Sequence, residues 1–251
     1  MYRFLLTRRW LVASLVVLTA VIVMVMLGLW QLRRLGEVTS SNDRVRSRLA
    51  LPVAAVDEVH APGVDQDDAV YRRVEATGRF DETEEVVLDN RSNQGRAGKH
   101  LLTPLVTESG RALIVDRGWV PLDISPEAAT AARPPSGTVR VVGVLFSSER
   151  KGAFGPTIPR QGRLTAVPRV DVARLAQQLP YPAFPLYLRI VSQSPQQPGE
   201  LPIPPGVPDL DDGPHLSYAV QWFLFATVAL AVFVALARRE ARRKATRVPS
   251  A

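Results

Sequence analysis

The chain has 251 residues, 31 Lys plus Arg against 24 Asp plus Glu for a formal charge of +7, and no cysteine. The missing cysteine excludes a disulfide framework, a thiolate zinc site and a thiol nucleophile. The basic excess does not point to nucleic acid: residues 35–215 hold 20 Lys plus Arg against 23 Asp plus Glu, and the surplus lies beside two apolar runs, where positive charge orients membrane segments.

Residues 1–9 form a short basic N-terminus. Residues 10–32 (WLVASLVVLTAVIVMVMLGLWQL) are charge-free and, at ~1.5 Å rise per helical residue, span a hydrocarbon core of ~30 Å. Backbone amides in lipid must be satisfied internally, so the run is expected to be a helix. It exceeds the length of a signal-peptide apolar region and no A-x-A-like site follows, so it reads as an uncleaved anchor. Only nine residues precede it, too few for an amphipathic presequence. In the juxtamembrane stretch 33–68, the polar, Arg-rich residues 35–51 are expected to continue the span as an exposed helix.

Residues 69–193 carry short runs rich in Val, Ile, Leu and Tyr, separated by turn residues, which is a strand pattern. Strands are predicted at 70–80, 85–90, 99–106, 112–118, 138–146 and 186–192, with breaks at Gly78, 90–98, 108–110 and 134–137. Within 170–179 (VDVARLAQQL), Val172, Leu175 and Leu179 predict a short amphipathic helix ended by Pro180. A domain of this size buries ~70% of its unfolded surface and needs no covalent staples. Residues 194–214 (SPQQPGELPIPPGVPDLDDGP) read as a semi-rigid Pro-rich tether.

A second apolar run occupies 215–237, and a basic tail, 238–251, follows with Arg238, Arg239, Arg242, Arg243, Lys244 and Arg247. Asp209, Asp211 and Asp212 precede the run, so the tail is assigned to the cytoplasm by the positive-inside rule. The expected architecture is an α+β membrane protein: two terminal transmembrane helices flank a β-rich, barrel- or sandwich-like extracytoplasmic domain with a short helix, and both termini are cytoplasmic. With 28 Arg against three Lys, a GC-rich coding bias favours a bacterial plasma membrane.

Trp30 and Gln31 end the first run, while Tyr218, Gln221 and Trp222 begin the second; helices starting at one water boundary would place them at one depth. The aromatics fit a headgroup-level belt. His215, Tyr218, Trp222 and Phe225 are spaced 3, 4 and 3, so they share a helix face. Neutral imidazole is a common axial ligand of haem iron, and aromatic walls suit a porphyrin. His215 beside Pro214 equally fits a helix-start residue, and both readings stand. Small residues at 14, 20, 28, 231 and 235 suit close helix packing. HExxH, phosphate-binding Gly-rich and GxSxG motifs are absent, and Asp81, Glu82, Glu84 and Glu85 read as solvated carboxylates, so the chain reads as a non-enzyme.

Four segments together resemble the surfeit locus protein one family of cytochrome c oxidase assembly factors. They are 27–34 (LGLWQLRR, with Trp30, Gln31 and Arg34), 78–105 (GRF, Arg91, Gly95, Gly98 and Thr103-Pro104-Leu105), 115–121 (VDRGWVP, with Arg117, Gly118 and Trp119) and 215–223 (HLSYAVQWF). The chain departs from the family pattern at Gly36-Glu37, where members often carry Trp-Lys, and at Gly213-Pro214, where they have an Asn-rich approach. The resemblance implies non-enzymatic help in oxidase biogenesis, around haem a insertion into the catalytic subunit, alongside other assembly factors in the bilayer. It also implies haem a as a bound cofactor with His215 on the iron, and Tyr218 and Trp222, on the same helix face, are the candidate walls of its pocket. Trp30, Gln31, Arg34, Arg117, Gly118 and Trp119 are partner-facing or structural: Gly118 permits a turn, Trp119 anchors packing and Arg117 pairs with a carboxylate. An interaction scaffold that recruits oxidase subunits without haem is the alternative; an extracytoplasmic hydrolase or envelope-binding protein rests on topology alone.

Overall fold

A computed structural model describes residues 6–61, 65–152 and 155–245. They divide into two compact units, Met1–Arg44 with Leu210–Ala251, and Val45–Asp209.

The first unit is a helix pair. α1 (Arg8–Leu49) runs unbroken through the polar stretch after the apolar run, helped at its surface by an Arg34–Glu37 ion pair of 3.0 Å one turn apart. It ends just before Pro52, whose ring disfavours helical backbone at the preceding residue. The C-terminal helix is α6 (His215–Ala245). Both helices are long and apolar enough to cross a membrane, which fits a membrane protein. They run antiparallel within the unit: the Trp10 ring meets Phe233 edge-on at 6.1 Å, and Asn42 donates to the Asp212 carboxylate at 2.7 Å. Gly28 makes the close approach possible, since a Cβ there would lie 2.8 Å from the Phe223 ring. Most other apolar side chains of the pair face outward, Leu15 and Met26 at 64% exposure among them.

The second unit is one mixed sheet with small helical covers. In chain order it contains β1 (Ala54–Ala55), α2 (Val56–Val59), α3 (Gln66–Ala69), β2 (Arg73–Phe80), β3 (Val86–Asn93), β4 (Arg96–Thr107), β5 (Ala112–Pro121), α4 (Pro126–Ala131), β6 (Val139–Phe146), β7 (Ala166–Val167), α5 (Val172–Ala176) and β8 (Ala183–Ser194). The strand order is β1-β2-β6-β8-β5-β4-β3-β7, and a further β2–β4 pairing closes β2-β6-β8-β5-β4 into a ring. Closure removes the exposed edges an open sheet would present. β5 and β8 pair in parallel and the other contacts around the ring are antiparallel.

Alternation along the strands sorts the core into two layers. Val74, Leu105, Leu113, Val115, Val141, Leu145, Phe184, Leu186 and Leu188 fill the ring, plugged by Val56 and Val59 of α2. Ile114 and Tyr187 point the other way, into a cluster with Leu88, Leu102, Leu164 and Leu175 beneath α5. β5 is therefore covered on both faces, and every residue from Ala112 to Val120 is buried.

The structure differs from the sequence reading at Gly78, expected as a break, where β2 runs unbroken from Arg73 to Phe80, and in the segment that joins β3 to β4. Residues 90–98 were expected to interrupt the strands, yet β3 and β4 continue to Asn93 and Arg96 around a turn at Gln94 and Gly95, both with positive φ. Turns of that hand match strand twist, which permits so tight a reversal. The Pro-rich stretch after β8 lies against β5: Ile203 and Trp119 exchange two backbone hydrogen bonds of 2.8 and 2.9 Å. Prolines at 202, 204 and 205 deny it further donors, so it binds as a strap through one residue.

Candidate functional site

In the helix pair, His215 opens α6 and its Nδ1 lies 2.8 Å from Oε1 of Gln31 in α1. The amide oxygen can only accept, so Nδ1 is the donor in this pairing and Nε2 is the ring nitrogen left outside it. Gly213 stands beside that nitrogen, and even a Cβ there would remain 3.5 Å from Nε2. Tyr218 and Trp30 are exposed, at 46% and 53%, and Trp222 is half-buried with its ring edge-on to Phe225 at 6.2 Å. Thus the unit joins His215 to Gln31 and keeps Tyr218 and Trp222 on its helix face, while Arg34 turns to Glu37.

In the second unit, β5 carries the Asp116-Arg117-Gly118-Trp119 run. Leu101 pairs with Gly118 but Leu102 with Asp116, so Arg117 is an extra residue in the strand, and such a bulge re-aims side chains. Arg117 is 2% exposed. Its guanidinium donates to Glu85 at 3.1 Å, to the Ala132 carbonyl at 2.6 Å and to the Gln197 amide oxygen at 3.0 Å, and lies 5.5 Å from the Phe80 ring centre. Burial pulls its pKa below the ordinary arginine value while Glu85 and Glu82 pull it back. The same Glu85 oxygen accepts the fully buried Thr103 hydroxyl at 2.6 Å. A cavity of ≈ 240 Å³ opens beside this cluster, walled by Gln193, Gln196, Gln197 and Pro202.

Asp116, 1% exposed, accepts from the Gly118 N–H at 3.1 Å and holds His100 Nδ1 at 3.0 Å from both carboxylate oxygens. Gly118 has φ +125°, and a Cβ on it would sit 2.0 Å from the Ile203 carbonyl. Glycine is thus required for two reasons, backbone conformation and the crossing strap. Trp119 packs its indole on Gly98, where a Cβ would fall 2.2 Å from Nε1.

The sequence reading gave no site role to Glu85, Thr103, Asp116, His100 or Gln197. Glu85 stood in an acidic run that looked solvated, and its neighbours have structural partners too: Glu84 pairs with Arg163 at 3.0 Å, and Asp81 accepts the Tyr181 hydroxyl at 2.8 Å. Burial pushes the Asp81 carboxyl up, but hydrogen bonds from Thr83 and Tyr181 outweigh it and set it below the ordinary value of 3.8. A carboxyl lowered on folding stabilises fully above the unfolded value, and that contribution is lost as pH falls through the folded one. Tyr181→Phe is therefore expected to cost about 1 kcal/mol at pH 7. In denaturant melts the gap from the parent protein should narrow below about pH 4; a gap constant down to pH 2 would contradict the assignment.

The chain matches the SURF1 family over residues 18–227. It is 31% identical over 247 residues to SURF1-like proteins of Mycobacterium bovis and Mycobacterium tuberculosis, covering 96% of this chain and 89% of theirs. A SURF1-like protein of Monosiga brevicollis is 27% identical over 240 residues, covering 89% of this chain and 87% of its own. The match takes in most of the first apolar helix, the β5 run and His215, and with that extent the chain belongs to the SURF1 family.

Proposed function

We propose that the protein is a two-pass membrane assembly factor for cytochrome c oxidase, holding haem a through His215 for delivery to the oxidase catalytic subunit. The SURF1 family is linked to cytochrome oxidase assembly, and the charge pattern supports cytoplasmic termini with an extracytoplasmic domain in a bacterial plasma membrane. The role is one of binding and transfer, without catalysis.

The observation that carries the haem reading is the 2.8 Å contact between His215 Nδ1 and Gln31. Haem ligands commonly have their second ring nitrogen fixed by a hydrogen bond, which sets the tautomer and raises the basicity of the coordinating nitrogen. The residues present therefore fit the group: His215 would hold the metal through Nε2, with Tyr218 and Trp222 on the same face. When bound, haem a supplies an iron that accepts the imidazole lone pair.

Co-expression with a haem a pathway and optical spectroscopy of the purified protein test this. His215→Ala is expected to lower bound haem more than tenfold; Gln31→Leu should lower it several-fold, and Gln31→Glu should restore it. Full haem content in His215→Ala would overturn the ligand assignment. The exposure of Trp30 and Tyr218 favours a second reading, docking onto partner helices. Colourless protein that still captures the oxidase subunit, and loses it on Trp30→Ala, would support a scaffold.

A further inference from the structure

A second cavity, of ≈ 290 Å³, lies between the strap and the sheet, walled by Arg91, His100, Trp119, Arg189, Ile203 and Pro204. One side is cationic and the other apolar. The cations are held from behind: Arg91 donates through Nη2 to both Glu149 oxygens at 2.7 Å, and Arg189 lies over the Phe146 ring at 4.2 Å. Arg189 stands 4.0 Å from Asp116 and 3.8 Å from Glu149, near enough for charge to position it but beyond hydrogen-bond length. Its guanidinium also meets the Tyr187 hydroxyl, and its buried Nε has no hydrogen-bond partner among the described residues. The Asp116 carboxylate is committed to His100 and Gly118.

The arrangement fixes two guanidinium forks in place while leaving much of their donor capacity unspent. Planar forks suit carboxylates, and apolar walls with a few placed polar groups are usual in small-molecule sites, whose volumes begin near ~300 Å³. A doubly charged phosphate is a poorer match, because Glu149 and Asp116 sit directly behind the cations. We propose that this cleft receives the carboxylate end of a ligand with an apolar body, Arg91 and Arg189 taking the acid group and Trp119, Ile203 and Pro204 the apolar part. Such a group comes either from a tetrapyrrole side chain or from the free C-terminus of a peptide. The inference concerns the second unit alone and does not depend on haem ligation at His215.

The test uses full-length protein in detergent micelles labelled with 5-fluorotryptophan. Its four tryptophans give separate fluorine signals, and Trp119→Phe assigns the one in the cleft. Titration with 2-naphthoate is expected to shift the Trp119 signal and leave the other three in place, while the neutral methyl ester shifts nothing. Arg189→Gln should weaken the response at least tenfold. The acid-versus-ester contrast stands even if that variant fails to fold. An ester that moves Trp119 as far as the acid does, or an acid that leaves it unmoved, overturns the proposal. Displacement of naphthoate by protoporphyrin IX assigns the carboxylate to a tetrapyrrole; displacement by Ala-Leu-Phe but not its C-terminal amide assigns it to a chain end.

Discussion

Replacing Gly118 with alanine is expected to cost about 3 kcal/mol or more, and valine more still, because a side chain there meets two penalties at once. The backbone φ of +125° lies outside the range that L residues adopt comfortably, and the Cβ would sit 2.0 Å from the Ile203 carbonyl. Relief requires breaking the two hydrogen bonds between Trp119 and Ile203, so the strap should lift. Limited proteolysis should then cut within residues 196–206, which the two Trp119–Ile203 bonds are expected to protect in the parent protein. Gly110 is the control: its φ is +76° with nothing within 4 Å of a built Cβ, so Gly110→Ala should cost about 1 kcal/mol and leave the strap protected. Equal effects at the two positions would show that backbone strain alone, and not the strap, demands the glycine.

Arg117→Met is the second large effect, about 3–5 kcal/mol in denaturant melts of the purified protein. The change strips the cation from Glu85 and donors from Ala132 and Gln197 in one step, and unpartnered buried polar groups carry the full cost of desolvation. The double substitution Arg117→Met with Glu85→Leu should recover a substantial part of the loss, since Glu85 is only part-exposed and apolar replacement of both members of a buried ion pair is often neutral. Arg117→Lys should not rescue, because an ammonium cannot span three acceptors set around a planar fork. A double variant as unstable as the single one would show that the arginine acts through packing alone.

These two positions mark what was legible in the sequence and what was not. The strands were readable because local alternation records which face is buried: Leu186, Leu188 and Ile190 against Tyr187, for example. Residues 35–51 read as a helical extension, and α1 runs to Leu49. What escaped were contacts between residues far apart in the chain. Glu85 and Arg117 are 32 positions apart and Arg117 and Gln197 are 80 apart, and nothing local separates Glu85 from the acidic residues around it. The strap's contact with β5 escaped as well, because repeated proline predicts an extended backbone but is silent on what that backbone lies against. β1 and β7, at two residues each, carry no periodicity. In the helix pair, His215 and Gln31 lie 184 positions apart; the sequence reading sets Gln31 level with Tyr218, one turn on from His215, because apolar runs measured from a shared water boundary supply a long-range ruler that a soluble domain lacks.

The position of β8 has a consequence for biosynthesis. The last strand to leave the ribosome does not add to an edge; it slots between β6 and β5 and closes the ring. Until residues 183–194 emerge, the nascent polypeptide holds two unsatisfied strand borders and a half-built interior, the state in which chains cluster with one another. A frameshift or premature stop before Ala183 is therefore expected to yield aggregated, rapidly degraded product, whereas loss of the basic tail would spare this module.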